Sequence, residues 1–347
     1  KSGHTGMQKG KAMKVLILQY IKVSKGAFLN TDIFNFSPGT KTTGELDVPG
    51  IDWKLPYTAV SGCRPGKTVL VTAGIHNAEY VGIRAAMRLA QSLSPDEITG
   101  QVVILPLVNR SGFEHRTMSA VYEDGKNLNR LFPGDPDGTA SDRLSWFISQ
   151  TLFPGADYYV DLHCGDGFEK LSEYVYCQGA AEPEVCADSE RMAAATDMPY
   201  TVRSTIGSGG AFNHAGKMGV PAVLIERGSQ GLWTEEEAQK SEEDVRRILK
   251  TLGILQGKAP EPRPHTILTH AHYIDAGQSG CWYPERHPGD IVEKGELLGT
   301  LRDYFGSVLE THEAQARAVI LFQACSLSTP EGTPLIAYAE WENRERK

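Results

Sequence analysis

Between residues 66 and 256 the chain alternates short β-prone apolar runs with segments of helical spacing, which narrows the choice of fold more than any other feature. Lys67 to Gly74 is a β-branched run, and Glu79 to Leu93 then shows helical spacing through Ile83, Met87 and Ala90. Gln101 to Val108 (QVVILPLV), Asp157 to Leu162 and Glu173 to Cys177 read as strands, and Ser141 to Leu152 as a helix. Pro221 to Ile225 is strand-like and leads to a charge-rich helix capped by Thr234 and ending near Leu252. The acidic start of that helix, Glu235 to Glu237, suits its dipole. Strands alternating with helices predict an α/β fold, a largely parallel sheet flanked by helices.

Two flanking regions differ in texture. Residues 13–62 mix β-prone runs (Lys14 to Tyr20, Ile51 to Val60) with Gly, Pro and Thr, predicting an irregular β segment at the start of a domain over 13–258. The Pro-rich stretch Ala259 to Pro264 reads as a linker. Beyond it, residues 265–340 carry short strands and turns and predict a smaller carboxy-terminal all-β domain.

Charge and cysteine usage exclude several classes. With 35 Lys+Arg against 43 Asp+Glu the net charge is −8, which argues against nucleic acid or an anionic membrane as the main partner. No apolar run approaches the roughly 18–20 residues that span a bilayer. Lys1 to Lys14 is basic and Gly-rich, without the apolar core or cleavage site of a secretory signal. The six cysteines (Cys63, Cys164, Cys177, Cys186, Cys281, Cys325) form no C-x-x-C pair, so neither a disulfide framework nor a cysteine zinc site is expected. The expectation is a soluble, cytoplasmic protein.

Polar residues then fall where the strands end. His76 and Glu79 follow the run closing at Gly74, Asn109 follows Val108, His163 follows Leu162, and Glu226 follows Ile225. In open α/β sheets ligands bind beyond the carboxyl ends of the strands. His76-x-x-Glu79 and His163 offer two imidazoles and one carboxylate, a set that leaves one position of a zinc ion open. Zinc lowers the pKa of a water held there to about 7. Glu226 is then the natural general base, and Asp161, on the same strand face as His163, can orient that imidazole. Arg116 and Arg130 lie in the polar stretch Asn109 to Pro133, where an arginine can grip a carboxylate or stabilise an oxyanion. Cys164 reads as a small buried cysteine, since a metal-bound His163 cannot serve as its base. His214, His270 and His272 read as structural.

The segments AGIHNAEYVG (73–82), NRSGFEHRT (109–117), DGKNLNRLFPG (124–134), VDLHCGD (160–166) and PAVLIERG (221–228) carry a resemblance. In that order they resemble the succinylglutamate desuccinylase/aspartoacylase family, relatives of the zinc carboxypeptidases. The resemblance implies a zinc-carboxypeptidase-like mixed sheet and one Zn2+ per chain held by His76, Glu79 and His163. It further implies Glu226 as catalytic glutamate, Asn129 and Arg130 on the substrate carboxylate, and Arg116 polarising the scissile carbonyl. The sequence departs from the family at Asn77-Ala78, where Gly followed by a polar residue is common; this bears on the pocket walls rather than on the ligands. The pattern His287-Pro288-Gly289-Asp290 with Gly295, Gly299 and Gly306 resembles a biotinyl/lipoyl-type barrel, but after Lys294 only Lys347 remains to carry a group. That region is expected to wall the mouth of the site or to form an oligomer contact.

The expected activity is hydrolysis of the amide bond of a small, carboxylate-bearing N-acyl amino acid. The alternatives are a metallocarboxypeptidase acting on peptides and a non-catalytic zinc- or ligand-binding homologue. The expected partner is that small molecule, with neither nucleic acid nor membrane, and a homo-oligomer is left open.

Overall fold

The structure, a computed structural model, describes residues 31–261 and 265–341. The expected Lys14 to Tyr20 run and residues Pro262 to Pro264 of the linker lie outside the described residues. The amino-terminal part supplies β1 (Thr40–Leu46), β2 (Leu55–Ser61), β3 (Arg64–Ala73), α1 (Tyr80–Ser92), β4 (Thr99–Leu105), α2 (Arg110–His115) and α3 (Ala140–Phe147). There follow β5 (Tyr158–His163), β6 (Glu169–Leu171), β7 (Tyr174–Gln178), α4 (Pro183–Ala193), β8 (Tyr200–Ser204), α5 (Ala211–Lys217), β9 (Ala222–Glu226) and α6 (Glu235–Thr251). From Thr266 to Trp341 the described chain is all-β: β10 (Thr266–Asp275), β11 (Gly280–Pro284), β12 (Ile291–Val292), β13 (Leu297–Arg302), β14 (Val308–Glu313), β15 (Ala318–Ala324), β16 (Ser328–Thr329) and β17 (Pro334–Trp341).

The strands form one 13-stranded sheet in the order β1-β2-β4-β3-β5-β9-β7-β8-β10-β17-β15-β12, with β6 on β15, and a second sheet β14-β13-β11-β16. The large sheet is mixed rather than largely parallel. Its centre, β4-β3-β5-β9, is parallel, as are β7-β8 and β8-β10. The outer pairs β1-β2 and β2-β4, the junction β7-β9, and the carboxy-terminal pairs β10-β17 and β15-β17 are antiparallel. Connection length accounts for part of this: β1 to β2 is a short loop that can only reverse direction, whereas the parallel centre is joined through helices.

Side-chain alternation explains why the central strands are apolar throughout. Val69, Val71, Val160, Leu162, Val223 and Ile225 face one layer with Ile83 and Leu89 of α1 and Val245 and Ile248 of α6. Leu70, Tyr159, Ala222 and Leu224 face the other layer, with Phe147 of α3 and Phe212 of α5. A sheet covered on both faces has no solvent side to keep polar. Arg84 and Arg88 of α1 reach Glu235 (2.8 and 2.9 Å), and Arg88 reaches Glu242 (3.0 Å), so the acidic start of α6 also fastens two helices together.

Gly82 lets α1 lie directly on β5. A Cβ there would stand 2.8 Å from the Leu162 carbonyl oxygen. Gly82→Ala should therefore destabilise the protein by about 1–3 kcal/mol in spite of alanine's better helix propensity. The check is the urea midpoint at constant m-value; an unchanged or raised midpoint would show that the helix shifts freely.

Candidate active site

Three strand ends and one helix start converge. After β3, Gly74 takes a positive φ of 68°, turning the chain so that His76 and Glu79 lie over the end of the sheet, Glu79 at the amino-terminal cap of α1. β5 ends at His163 and β9 at Glu226; the two residues are direct register partners on neighbouring parallel strands. Asp161, His163 and Glu226 share the strand face of Tyr159 and Leu224, as period-two alternation requires. The end of β9 is held by Arg227, buried and paired with Asp244 of α6 (2.8 Å) and Glu173 (2.7 Å).

Ligand atoms of His76, Glu79 and His163 all lie within 4.8 Å of one another. His76 Nδ1 is 2.7 Å from Glu79 Oε1, and His163 Nδ1 is 2.8 Å from Glu79 Oε2. The Cys164 backbone N–H donates to Glu79 Oε2 at 3.1 Å. The far ring nitrogens also meet oxygens: His76 Nε2 is 3.0 Å from Asn127 Oδ1, and His163 Nε2 is 3.1 Å from Asp161 Oδ2, the latter too poorly aligned for a hydrogen bond. Thr72 Oγ1 donates to Asp161 Oδ1 at 2.7 Å and contacts the Tyr159 hydroxyl at 2.6 Å.

This donor set fits a metal ion. A neutral imidazole has one N–H and one lone pair, so two oxygen neighbours per ring leave one contact unmatched. A cation among the two Nδ1 atoms and the Glu79 carboxylate removes the conflict, because each ring then keeps its one N–H at Nε2, where His76 donates to Asn127 Oδ1 and His163 has Asp161 Oδ2 nearby. Imidazole backed by a carboxylate or carbonyl is the usual environment of a histidine ligand. The surroundings favour positive charge at this point, whether a proton on the imidazoles or a metal ion among them. Burial alone would raise the Glu79 carboxyl, but the His163 and His76 imidazoles outweigh it and bring it down to about 2. Burial disfavours a charged His163, yet Glu79 and Asp161 outweigh that and hold its pKa well above the ordinary value.

Glu226 stands beside this group with its Oε2 buried and without a hydrogen-bond partner among the described residues. Burial first, then the negative charge of Glu79, pushes its carboxyl well above the usual range. His76, Glu79, His163, Glu226, Asn129 and Arg130 all line one cavity of about 580 Å³. Asn129 is buried, and its Oδ1 accepts from the Ala211 N–H (2.9 Å), pinning the 208–211 loop that forms another wall. Arg130 is exposed at the rim. Arg116 is not brought in: it is exposed, caps α2 with a left-handed φ of 56°, and does not line the cavity. Asn77, at the departure noted in the sequence, holds that segment outside. Its Nδ2 donates to the Thr117 carbonyl, and its Oδ1 accepts from Asn109 Nδ2 (2.9 Å) and Thr117 Oγ1 (3.2 Å).

Sequence reasoning missed Asn127 as the partner of His76, Arg227 as the anchor of Glu226, and the individual residues of the remote wall. Tyr273 and Asp275 from β10, Phe322 from β15, and Gly332 and Pro334 line the cavity, so the all-β part closes the site it was expected to wall. The hairpin between β13 and β14 carries Tyr304 and Phe305 at its tip and no lysine. Cys164 is buried, and desolvation raises its thiol pKa well above normal, against a nucleophilic role.

The chain is similar to known proteins over most of its length. The family model described as "Succinylglutamate desuccinylase/Aspartoacylase catalytic domain" matches residues 65–252. The chain is 27% identical over 260 residues to the N-alpha-acetyl-L-2,4-diaminobutyric acid deacetylase of Halomonas elongata, covering 72% of this chain and 74% of that protein. Among solved structures it is similar to a succinylglutamate desuccinylase/aspartoacylase from Rhodobacter sphaeroides (TM-score 0.78, 25% identity, 89% of this chain and 98% of that one). It is also similar to the product-bound ectoine utilization protein EutE (DoeB) from Ruegeria pomeroyi (TM-score 0.77, 25% identity, 86% and 95%).

Proposed function

Since the chain belongs to the succinylglutamate desuccinylase/aspartoacylase family, we propose that it is a zinc-dependent deacylase that hydrolyses the amide bond of a small N-acyl amino acid. The observation that carries this reading is the convergence of His76, Glu79 and His163 with Glu226 in strand register beside them. The deacetylase relative from Halomonas elongata supports the amide chemistry. A carboxypeptidase-like sheet, carrying its ligands at the ends of the parallel strands, is part of the same proposal.

His76, Glu79 and His163 would hold the zinc, with Asp161 and Asn127 orienting the two imidazoles. When bound, zinc supplies Lewis-acid polarisation of the amide carbonyl and lowers the pKa of water. Arg130 with Asn129 docks the substrate carboxylate, the guanidinium giving the two-pronged grip that carboxylates favour. Glu226 takes the proton from the attacking water at its Oε2 and delivers it to the amine nitrogen as the C–N bond breaks, so acid and amine leave with every proton assigned. Its desolvated position, which favours holding a proton, suits the second half of that task. The family resemblance gives Arg116 the role of polarising the scissile carbonyl, although in the described structure it does not line the cavity. A cavity of about 580 Å³ fits a small acyl amino acid.

The test is amine release from a panel of N-acetyl-, N-succinyl- and N-formyl-amino acids and short peptides, with zinc-loaded and chelated enzyme. Release from acyl amino acids that stops on chelation is expected. Cleavage of peptides alone would move the assignment to a carboxypeptidase.

A further inference from the structure

The charges in the cavity do not balance for an acyl amino acid with a neutral or acidic side chain. Zinc and Arg130, the one lysine or arginine among the lining residues, are already matched by Glu79, Glu226 and the substrate's own carboxylate. Two further carboxylates line the same cavity: Glu169 on β6 and Asp275 at the end of β10. Asp275 is exposed on the rim. Glu169 is partly buried, and none of the described residues forms a salt bridge with it. Its backbone is fixed: its N–H donates to the Asp166 carbonyl (3.0 Å), its carbonyl accepts from Gln230 (2.8 Å), and its strand pairs with β15 at Ala324. A carboxylate on so rigid a support is placed rather than tolerated.

We propose that Glu169 is the counter-ion for a positively charged group on the substrate, so that the enzyme selects N-acyl amino acids whose side chain carries an ammonium. This deepens the deacylase reading and rests on it. The surroundings of Glu169 point the same way. Burial, together with the negative charges of Asp166 and Glu79 and against the pull of His76, raises its carboxyl to about 7, and Glu226 lies within range as well. An arriving ammonium relieves that desolvated, crowded carboxylate, whereas an acidic side chain adds to the crowding. Asp275 extends the anionic wall toward the opening and would draw the same charge inward.

Two measurements decide it. The first compares kcat/KM for the α-acetyl derivatives of ornithine and 2,4-diaminobutyrate with that for N-acetylnorvaline, a neutral analogue, in the wild type and in Glu169→Gln. The expected result is a wild-type preference for the cationic substrates of at least about tenfold, shrinking by at least about tenfold in E169Q and partly retained in Glu169→Asp. Equal use of cationic and neutral substrates by the wild type, or a ratio unmoved in E169Q, overturns the inference. The second is calorimetric binding of free 2,4-diaminobutyrate and norvaline to both zinc-loaded proteins. If no acyl amino acid is hydrolysed, the deacylase reading fails and this binding decides alone. Diaminobutyrate held about tenfold more weakly by E169Q, with norvaline unmoved, sustains Glu169 as counter-ion; equal binding overturns it.

Discussion

Glu226→Gln should lower kcat by about 10²- to 10⁴-fold, the usual worth of a positioned general acid–base group. The amide has nearly the shape of the carboxylate but cannot take a proton from water or return one to an amine. Metal content, read by elemental analysis, should match the wild type, because Glu226 is not one of the converging ligands. Stability offers a second readout. The folded protein holds this carboxyl above its ordinary value, so ionised Glu226 opposes folding. That opposition is absent below about 4.5, the ordinary glutamate value, and grows as pH rises above it. Metal-free E226Q should therefore melt higher than the metal-free wild type at pH 8, with the gap narrowing toward pH 5. A variant that is inactive yet more stable is the signature of a group kept for chemistry at the expense of the fold. Full activity in E226Q would refute the mechanism.

His163→Ala should have the larger structural effect. His163 lies between the two least accessible carboxylates of the site, Glu79 and Asp161. Removing it takes away one of the proposed metal donors and leaves both carboxylates buried without their shared partner. Breaking a buried charged contact in this way costs about 3–5 kcal/mol. Zinc should be lost on dialysis and activity should fall to the chelated background. Asp161→Asn separates the two effects: with all three donors in place it should weaken zinc binding by about 10- to 100-fold, as loss of an orienting partner does. If H163A kept stoichiometric zinc and its melting temperature, the proposed ligand set would be wrong.

Much of this site is legible in the sequence because its residues sit at strand ends, and strand ends follow from local pattern. The runs closing at Gly74, Leu162 and Ile225 become β3, β5 and β9, and their trailing polar residues meet. Period-two alternation puts Asp161 and His163 on one face. Strand direction is less legible: β7 has the composition of its parallel neighbours but runs antiparallel to β9, because direction depends on how the chain returns. The helix α4 escapes notice since only Val185, Ser189, Met192 and Ala193 are buried along it, too thin an apolar stripe to stand out. Asn127, Glu169 and Asp275 are invisible for a different reason. Each reaches the cavity from a loop or strand whose approach is set by tertiary packing, and no local spacing announces it. Arg116 shows the converse, a motif residue held outside by the hydrogen bonds of Asn77.

The pairing of His163 with Glu226 across two parallel strands carries a consequence for how such an enzyme diversifies. Neighbouring strands stand about 4.8 Å apart, and register moves only in whole residues. The gap between the proposed metal donor and the proposed proton carrier is thus quantised: substitutions elsewhere cannot stretch it by fractions, and a slip of one residue turns a side chain to the opposite face. The reactive pair is inherited whole or lost whole. New substrates must be accommodated by the loop at 205–210, by β6 and by the carboxy-terminal wall, which can drift in sequence while the chemistry stays fixed.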